Sequence, residues 1–543
     1  MAWYEPLRGW LAGSREASRV LTPRERTPDV LQAEDWAGAY SRAYANADMN
    51  RLTAAWNSPT NSADAELVSS LRELRARSRQ LIRDNAYAGH AQTIFVNNTV
   101  GQGIGIQAQV KDSRGNLQPR INSAIESLWE AWEEPESCHV AGRLHFRDLE
   151  RLAMMGVFEA GEDLIRFHHQ ATPSGVPLTL EILEPERLAE EYEAPNVPGV
   201  NIVRMGVEHD PYHKALAYWV KTFYPGDLRR HAVMPEKLER VLAEYILHTA
   251  PIRRWPQTRG EPMMHAVAKR LWDVEGYTHA EIVAMRASAN IMGIIQSPEL
   301  DLSSGAAPPP SQEDSAPGTM KRLMPGETFT EWNPNRPNNG ADSFLRFMLR
   351  EVAAGLCMGY ASLTGDYSQA NYSSERARML EDRDQWRVVQ FWWLRNFRTR
   401  IHREFMRAAV YSGALPAVNR AQYILDPRRF EAVKYKLRGW GWVDPAKEVA
   451  AYKEAVKAGF ISIADVISQT AHGADFEEMM DGIEDERELI ASKGLVFDVL
   501  QVDTPAPPAA SPAPAPADDG PPEGAGDSGD GEQRVVQLKG GKR

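Results

Sequence analysis

Cysteine is nearly absent. The 543 residues contain two, Cys138 and Cys357. Neither belongs to a CxxC pair or a histidine cluster, so no zinc site is implied, and two free thiols in so long a chain suit a reducing compartment. Long apolar runs are also missing. Nothing approaches the ~20 residues that a bilayer span requires. Residues 1–30 carry Trp3, Leu7, Trp10 and Leu11 but are broken by Glu5, Arg8, Arg15 and Glu16, leaving no apolar core of signal-peptide length. The expectation is a protein kept in, or assembled into a particle within, the cytoplasm, with no membrane partner. Catalytic signatures are lacking too: there is no Walker motif, HExxH, GxSxG or CxxC. No catalytic, cofactor-binding or metal-binding residue is therefore assigned.

A concentrated positive charge is a further absence. The net charge is −12, and residues 446–531 hold 18 Asp and Glu against 5 Lys and Arg, a net of −13. The other 457 residues are thus close to neutral, at about +1 (−12 minus −13). Residues 341–410 have 11 Arg, no Lys and 8 acids. Tight nucleic-acid binders show a strong basic patch. If this chain meets DNA it should not hold it firmly.

What is present is apolar mass and aromatics: 43% hydrophobic residues, with 15 Trp, 17 Tyr and 15 Phe. That is enough for a sizeable core and compatible with large interfaces. At about 150 residues per domain the length suggests three or four units.

The chain is organised around residues 341–410. Phe344, Phe347, Met348, Val352 and Leu356 recur at helical spacing, and Gly355 and Gly359 let that helix end. Residues 362–371 are small and polar, with too little apolar mass to bury themselves. Asn371 or Ser373 can cap a following helix whose first turn suits Glu375. The stripe Trp386, Val389, Trp393, Phe397, Ile401, Phe405 and Ala408 then marks one long helix. The pattern is helix, glycine-punctuated polar loop, long helix.

The run Leu363-Thr364-Gly365-Asp366-Tyr367-Ser368-Gln369-Ala370-Asn371-Tyr372-Ser373-Ser374-Glu375-Arg376 resembles the most recognisable stretch of the lambda-family bacteriophage portal proteins. Weaker likenesses to that family lie at 85–104, 181–188, 210–220 and 253–262, and the resemblance covers most of 85–495. It implies an α+β portal fold, mainly helical with a β-rich wing. The wing's first part would be 46–262 (β-rich at 161–220) after an arm at 1–45. A stem helix at 263–296, a clip at 297–340 and a second stem helix at 341–358 would follow. A tunnel loop at 359–372 would lead to a long channel helix and second wing part at 373–445, and then a crown at 446–500. The implied assembly is a homo-oligomeric ring, usually of twelve copies, at one vertex of the virion. Double-stranded DNA would pass through it without sequence reading. The implied partners are the terminase large subunit, the major capsid or scaffolding protein, and a head–tail connector or adaptor. Ser362, Thr364, Gly365, Asp366, Tyr367, Ser368 and Asn371 would form the loop facing DNA, the hydroxyls and amide offering bonds to phosphates and Asp366 limiting adhesion. A cellular helical scaffold or adaptor, or a nucleic-acid-processing enzyme with an unrecognised site, are the competing readings.

Elsewhere the residues speak for themselves. Leu67, Leu71, Leu74 and Leu81 mark a helix within 62–90, Ile121 to Trp132 another within 120–135, and a third spans about 145–158. Gly101, Gly103 and Gly105 have the wrong spacing for dinucleotide binding and read as turns into a strand of alternating Ile104, Ile106, Ala108 and Val110. Segments 164–168, 178–183, 203–207 and 215–220 alternate as strands. His168 and His169 would point to opposite faces of a strand, and Pro211 keeps His209 and His213 off one helix, so neither pair reads as a metal site. A helix is predicted over 263–295, with Gly276 a candidate kink. Residues 303–318 cannot hold a core, 329–334 return to a short strand and turns, and 446–497 are helical. From about 501 the Pro/Ala/Gly/acid composition predicts disorder.

Overall fold

A computed structural model describes residues 60–194, 201–224, 226, 237–289, 293–296, 328–331, 340–368, 371–441, 445–470 and 476–493. The arm at 1–45, the tail from 501, and nearly all of 297–340 lie outside the described residues. The chain divides at Gly473/Ala474.

The described part of the first unit begins with α1 (Ala63–Val68), α2 (Leu71–Asp84) and α3 (Ala86–Thr99). The sequence signal for helix stopped near residue 90. Asn85 explains why it resumes: its extended backbone ends α2, while its side-chain oxygen accepts from the N–H of Tyr87 and Ala88 to start α3. Phe95, Val96 and Val100 are buried, so packing overrides the modest helix propensity of those residues. Strand β1 (Gly105–Ala108) follows, then α4 (Pro119–Glu133), a single turn α5 (Pro135–Cys138) and α6 (Phe146–Ala160).

The β-rich block reaches further than residue 220. It comprises β2 (Asp163–His168), β3 (Thr179–Leu183), β4 (Ile202–Arg204), β5 (Val207–His209), β6 (Ala215–Lys221), β7 (Leu238–Leu242) and β8 (Ile246–Thr249). Its two antiparallel sheets have orders β3-β2-β8 and β4-β5-β6-β7. The run 203–207 is two strands, because Met205 (φ 45°) and Gly206 (φ 79°) make a hairpin turn between them. Leu164, Leu183, Val207, Tyr218, Val220 and Ile246 form a shared apolar cluster. His168 bonds Glu181 at 2.7 Å across β2–β3.

The helix expected over 263–295 is shorter at both ends. A 3-10 turn (Met263–Ala266) precedes α7 (Ala268–Ala289), which passes through Gly276 without a break. Strand β9 (Gly293–Gln296) then pairs antiparallel with β10 (Thr328–Glu331). The C-terminal half of the unit holds α8 (Ala341–Gly355), α9 (Tyr360–Thr364), α10 (Tyr372–Trp393), a π-helical turn (Leu394–Arg398), α11 (Thr399–Ser412), α12 (Arg420–Leu425), α13 (Pro427–Phe430), β11 (Val433–Lys436), α14 (Pro445–Lys457) and α15 (Ile463–Thr470). β11 pairs with β1, joining residues more than 300 apart in sequence. The second unit contains α16 (Phe476–Ser492). Among the described residues no helix is long and apolar enough to cross a membrane.

One large core draws on α2 to α13. Trp393, Phe397, Ile401 and Phe405 are fully buried in it, with Trp129, Trp132, Phe146 and Phe158 from α4 and α6. The Trp129 and Phe405 rings meet edge-to-face at 4.9 Å, a favoured aromatic geometry. The predicted stripe of α10 and α11 is thus the face that builds the core.

A buried ionic centre joins this core to the sheets. Glu162 is wholly buried and accepts from Arg75 (2.7 Å), Arg259 (2.6 and 2.8 Å), His248 (3.0 Å) and the Gly260 amide (2.7 Å). Burial pushes its pKa up, but Arg259 and Arg75 outweigh this and hold it well below the usual carboxylate range. A Cβ on Gly260 would overlap the Gly161 backbone, and one on Gly161 (φ 87°) would overlap that of Glu261. Only two glycines allow this approach. Gly260→Ala is therefore expected to destabilise the fold by more than about 3 kcal/mol, read by denaturant unfolding; an unchanged midpoint would contradict the packing.

Next to Glu162, Asp163 has no partner charge. Burial lifts its pKa from 3.8 to about 8, and its Oδ2 lacks a hydrogen-bond partner. The folded state thus keeps a proton that the unfolded chain sheds above pH 4, so this group's contribution falls as pH rises from about 4 to about 8 and then levels. Asp163→Asn should gain on the parent by on the order of 1 kcal/mol per pH unit between pH 5 and 7. Parallel stability curves for the two proteins would show that Asp163 is ionised.

Candidate nucleic-acid interface

α8 buries Met348, Leu349, Val352 and Ala353 and leaves Phe347 exposed. The ridge that packs is 348–352–356, at i,i+4 spacing; position 347 lies about 100° away around the helix and faces out. Phe344 rests against Tyr277 of α7 at 5.0 Å. Packing between α8 and the residues before α7 is close enough that a Cβ on Gly355 would overlap Val267.

The polar segment after α8 is not the open loop that its composition suggests. Residues 360–364 form α9, and Ala361 and Leu363 are buried. These two apolar side chains suffice because α3 lies alongside: the Leu363 carbonyl is 2.9 Å from His90 Nδ1. Gly359 sits where a Cβ would come within 2.7 Å of Arg378 Nε and 2.8 Å of Asp382 Oδ2, so a larger residue there would push those side-chain ends aside. Gly365 (φ 70°) ends α9 in the left-handed conformation.

The candidate side chains divide into two groups. Ser362 donates to Asp382 Oδ2 at 3.2 Å, and Thr364 donates to the Tyr360 carbonyl at 2.8 Å while accepting from the Asp366 N–H. Both hydroxyls are engaged within the chain, against the expectation that they are available to phosphates. Asp366 accepts from the Ser368 N–H and the Tyr360 hydroxyl, each at 3.0 Å, with Arg346 at 3.9 Å. The bonds from Ser368, then Tyr360, hold its pKa down at about 2. It is a fixed negative charge that organises its own turn. Tyr367 is 62% exposed, and Ser368 and Asn371 are also at the surface. Asn371 has the expected capping role, accepting from the Ser374 N–H at 2.8 Å.

Sequence reasoning missed four residues here. Arg346 and Arg350, one turn apart on α8, converge with Arg378 of α10 and Tyr360 of α9 around a cavity of about 380 Å³. The i,i+4 spacing of Arg346 and Arg350 was a visible signal; the arrival of Arg378 from another helix was not. Among the described residues no cluster of His, Cys, Asp and Glu could hold a metal ion.

Residues 49–390 match the family model of the phage portal proteins, lambda family. The chain belongs to that family. A "Probable portal protein" of Halomonas phage phiHAP-1 is 25% identical over 484 residues, covering 86% of this chain and 89% of that protein. "Portal protein B" of Escherichia phage lambda is 24% identical over 356 residues, 59% of this chain and 66% of that protein. Among solved structures, the "neck of native GTA particle computed with C12 symmetry" aligns at 14% identity and a TM-score of 0.38 over 72% of this chain and 92% of that one. The "virion of native gene transfer agent (GTA) particle" aligns at 12% and 0.41 over 77% and 96%. In this member of the family the signature segment is built as a helical turn, a charged bend and a capped helix.

The cap gives a direct check. Asn371→Ala should cost about 1 kcal/mol of local stability, seen as faster amide exchange at Ser374 and Glu375 with Trp393 unchanged; uniform protection in both proteins would remove Asn371 from that role.

Proposed function

We propose that this chain is a non-enzymatic structural subunit of a phage head. In this reading copies close into a ring, usually of twelve, at one vertex of the virion. Double-stranded DNA passes through during packaging and ejection. The terminase large subunit docks first and head–tail connector proteins later, with the major capsid or scaffolding protein around the rim. The observation that carries the reading is the family match over 49–390, joined by a portal relative of similar extent.

The regions follow from the same reading: wing at 46–262 and within 373–445, stem at 263–296 and 341–358, clip at 297–340, tunnel loop at 359–372, crown at 446–500. Two physical features support it. Large apolar side chains stand exposed on the helices that would form the ring wall: Trp272, Val283 and Met285 on α7, Phe347 on α8, and Val388 and Phe391 on α10. Large apolar side chains left in solvent suit a surface that other copies cover, and identical copies are the occupants that a ring supplies. The near-neutral charge outside 446–531 also suits a bore that must not trap a polyanion. At the loop, Tyr367, Ser368 and Asn371 are the outward members, whereas Ser362, Thr364 and Asp366 shape it.

The purified chain is expected to sediment at about twelve times 60.8 kDa. Phe347→Glu should shift that species toward monomer, since a buried unpaired charge opposes assembly. A monomer or dimer for the parent chain would favour the adaptor reading. Imaging of the assembly that put 364–371 on its outer rim would end the channel-loop role.

A further inference from the structure

Three arginines, Arg346, Arg350 and Arg378, line the cavity between α8, α9 and α10, the last two exposed to solvent. Arg346 is committed, 3.1 Å from Asp342 and 3.9 Å from Asp366. Among the described residues neither Arg350 nor Arg378 makes an ion pair. The Arg350 guanidinium lies over the Tyr360 ring at 5.5 Å, and Arg378 makes a long 3.4 Å bond to the Met358 carbonyl. Asp366 and Glu375 also line the space, which leaves three cations facing two carboxylates. The α10 N-terminus opens there as well and adds the positive end of a 22-residue helix.

Arginines gathered around one cavity favour an anion within it. The Tyr360 ring and the Met358 carbonyl hold them beside the space; Asp382 offsets part of the Arg378 charge, while Arg350 has only the ring and solvent. Planar, multi-donor guanidinium groups match tetrahedral oxyanions well, and the space exceeds what one phosphate needs. We propose that this cavity is a binding site for a phosphate group, with Arg350 and Arg378 as the ligating side chains and Asp366 as a built-in repulsion that keeps binding weak and reversible. The phosphate could come from a DNA backbone or from a free small molecule; the site chemistry is the same.

The test uses the full chain at low salt, with inorganic pyrophosphate in one calorimetric titration and a short blunt DNA duplex in another. Arg350→Gln and Arg378→Gln should each weaken pyrophosphate binding by about tenfold, the scale of one charge-assisted hydrogen bond. Asp366→Asn should strengthen it severalfold, a change of opposite sign that damaged folding would not produce. Arg77→Gln, an exposed partner of Glu73 on α2, should leave it unchanged. Parallel losses for the duplex assign the phosphate to DNA; losses for pyrophosphate alone assign it to a free phosphate. The site is refuted if the parent chain binds no pyrophosphate, or if both arginine variants bind it as the parent does. Either result leaves the ring reading standing, since that reading rests on the mass of the assembly.

Discussion

The fold depends on one buried carboxylate. Burying a lone charge is costly, and a buried ion pair breaks even only when every lone pair has a donor. Glu162 meets that condition. Its Oε1 takes three N–H groups from Arg75 and Arg259, and its Oε2 takes the Gly260 amide and His248. The donors in turn reach outward: Arg75 to the Ala160 carbonyl, Arg259 to the carbonyls of Met205 and Pro185. One side chain thereby fixes α2, the end of α6, the first residues of β2, the β4–β5 hairpin and the turn before α7. Neither sheet could dock on the helical core in another register without stranding a charge. The same centre sets the direction in which α7 leaves the block.

A second buried arginine does the equivalent work at the far side of the core. Arg398 closes the π-helical turn between α10 and α11. It lies 5.2 Å over Trp129, 4.9 Å over Phe146 and 5.7 Å over Tyr435, donates to the Ile104 carbonyl, and faces Glu150 at 3.6 Å. The wider π turn brings this side chain inward while Trp393 and Phe397 stack at 4.0 Å. His402 beside it is held neutral by burial, then by Arg398 and Arg403, with a pKa near 3. The C-terminal end of α10 is therefore clamped by aromatic and ionic contacts. Its N-terminal end depends on one cap and a few local bonds.

What could be read in the sequence was whatever repeats at short range. The aromatic stripe of 386–408, the alternation in β2, β3 and β6, and the cap at Asn371 are all written within a few residues of themselves. What escaped was set by distant partners. Arg75, Glu162 and Arg259 are each about ninety residues apart, and nothing near any one of them announces the other two. α3 continues past residue 90 because Phe95 and Val96 enter a core built mostly by later segments. The run 263–295 is apolar enough for helix throughout, yet its last residues pair with β10, some thirty positions on. At the candidate site the residue types were visible and their engagements were not: Ser362 and Thr364 turn inward because Asp382 and the Tyr360 carbonyl are within reach.

That inward turn changes how a passing polyanion could be handled. A loop bristling with free hydroxyls would form and break many bonds with a phosphate backbone, each a small brake. Here the hydroxyl of Ser362 is held by a carboxylate, that of Thr364 by a main-chain carbonyl, and Asp366 keeps its charge down to about pH 2. The surface left to the solvent is one phenol, a serine, an amide and a fixed negative charge, with the exposed Arg350 and Arg378 at the neighbouring cavity. A fixed anion beside exposed cations favours a weak interaction over a tight one. If copies line a bore, low friction would follow from this local balance of opposite charges together with the near-neutral charge outside 446–531.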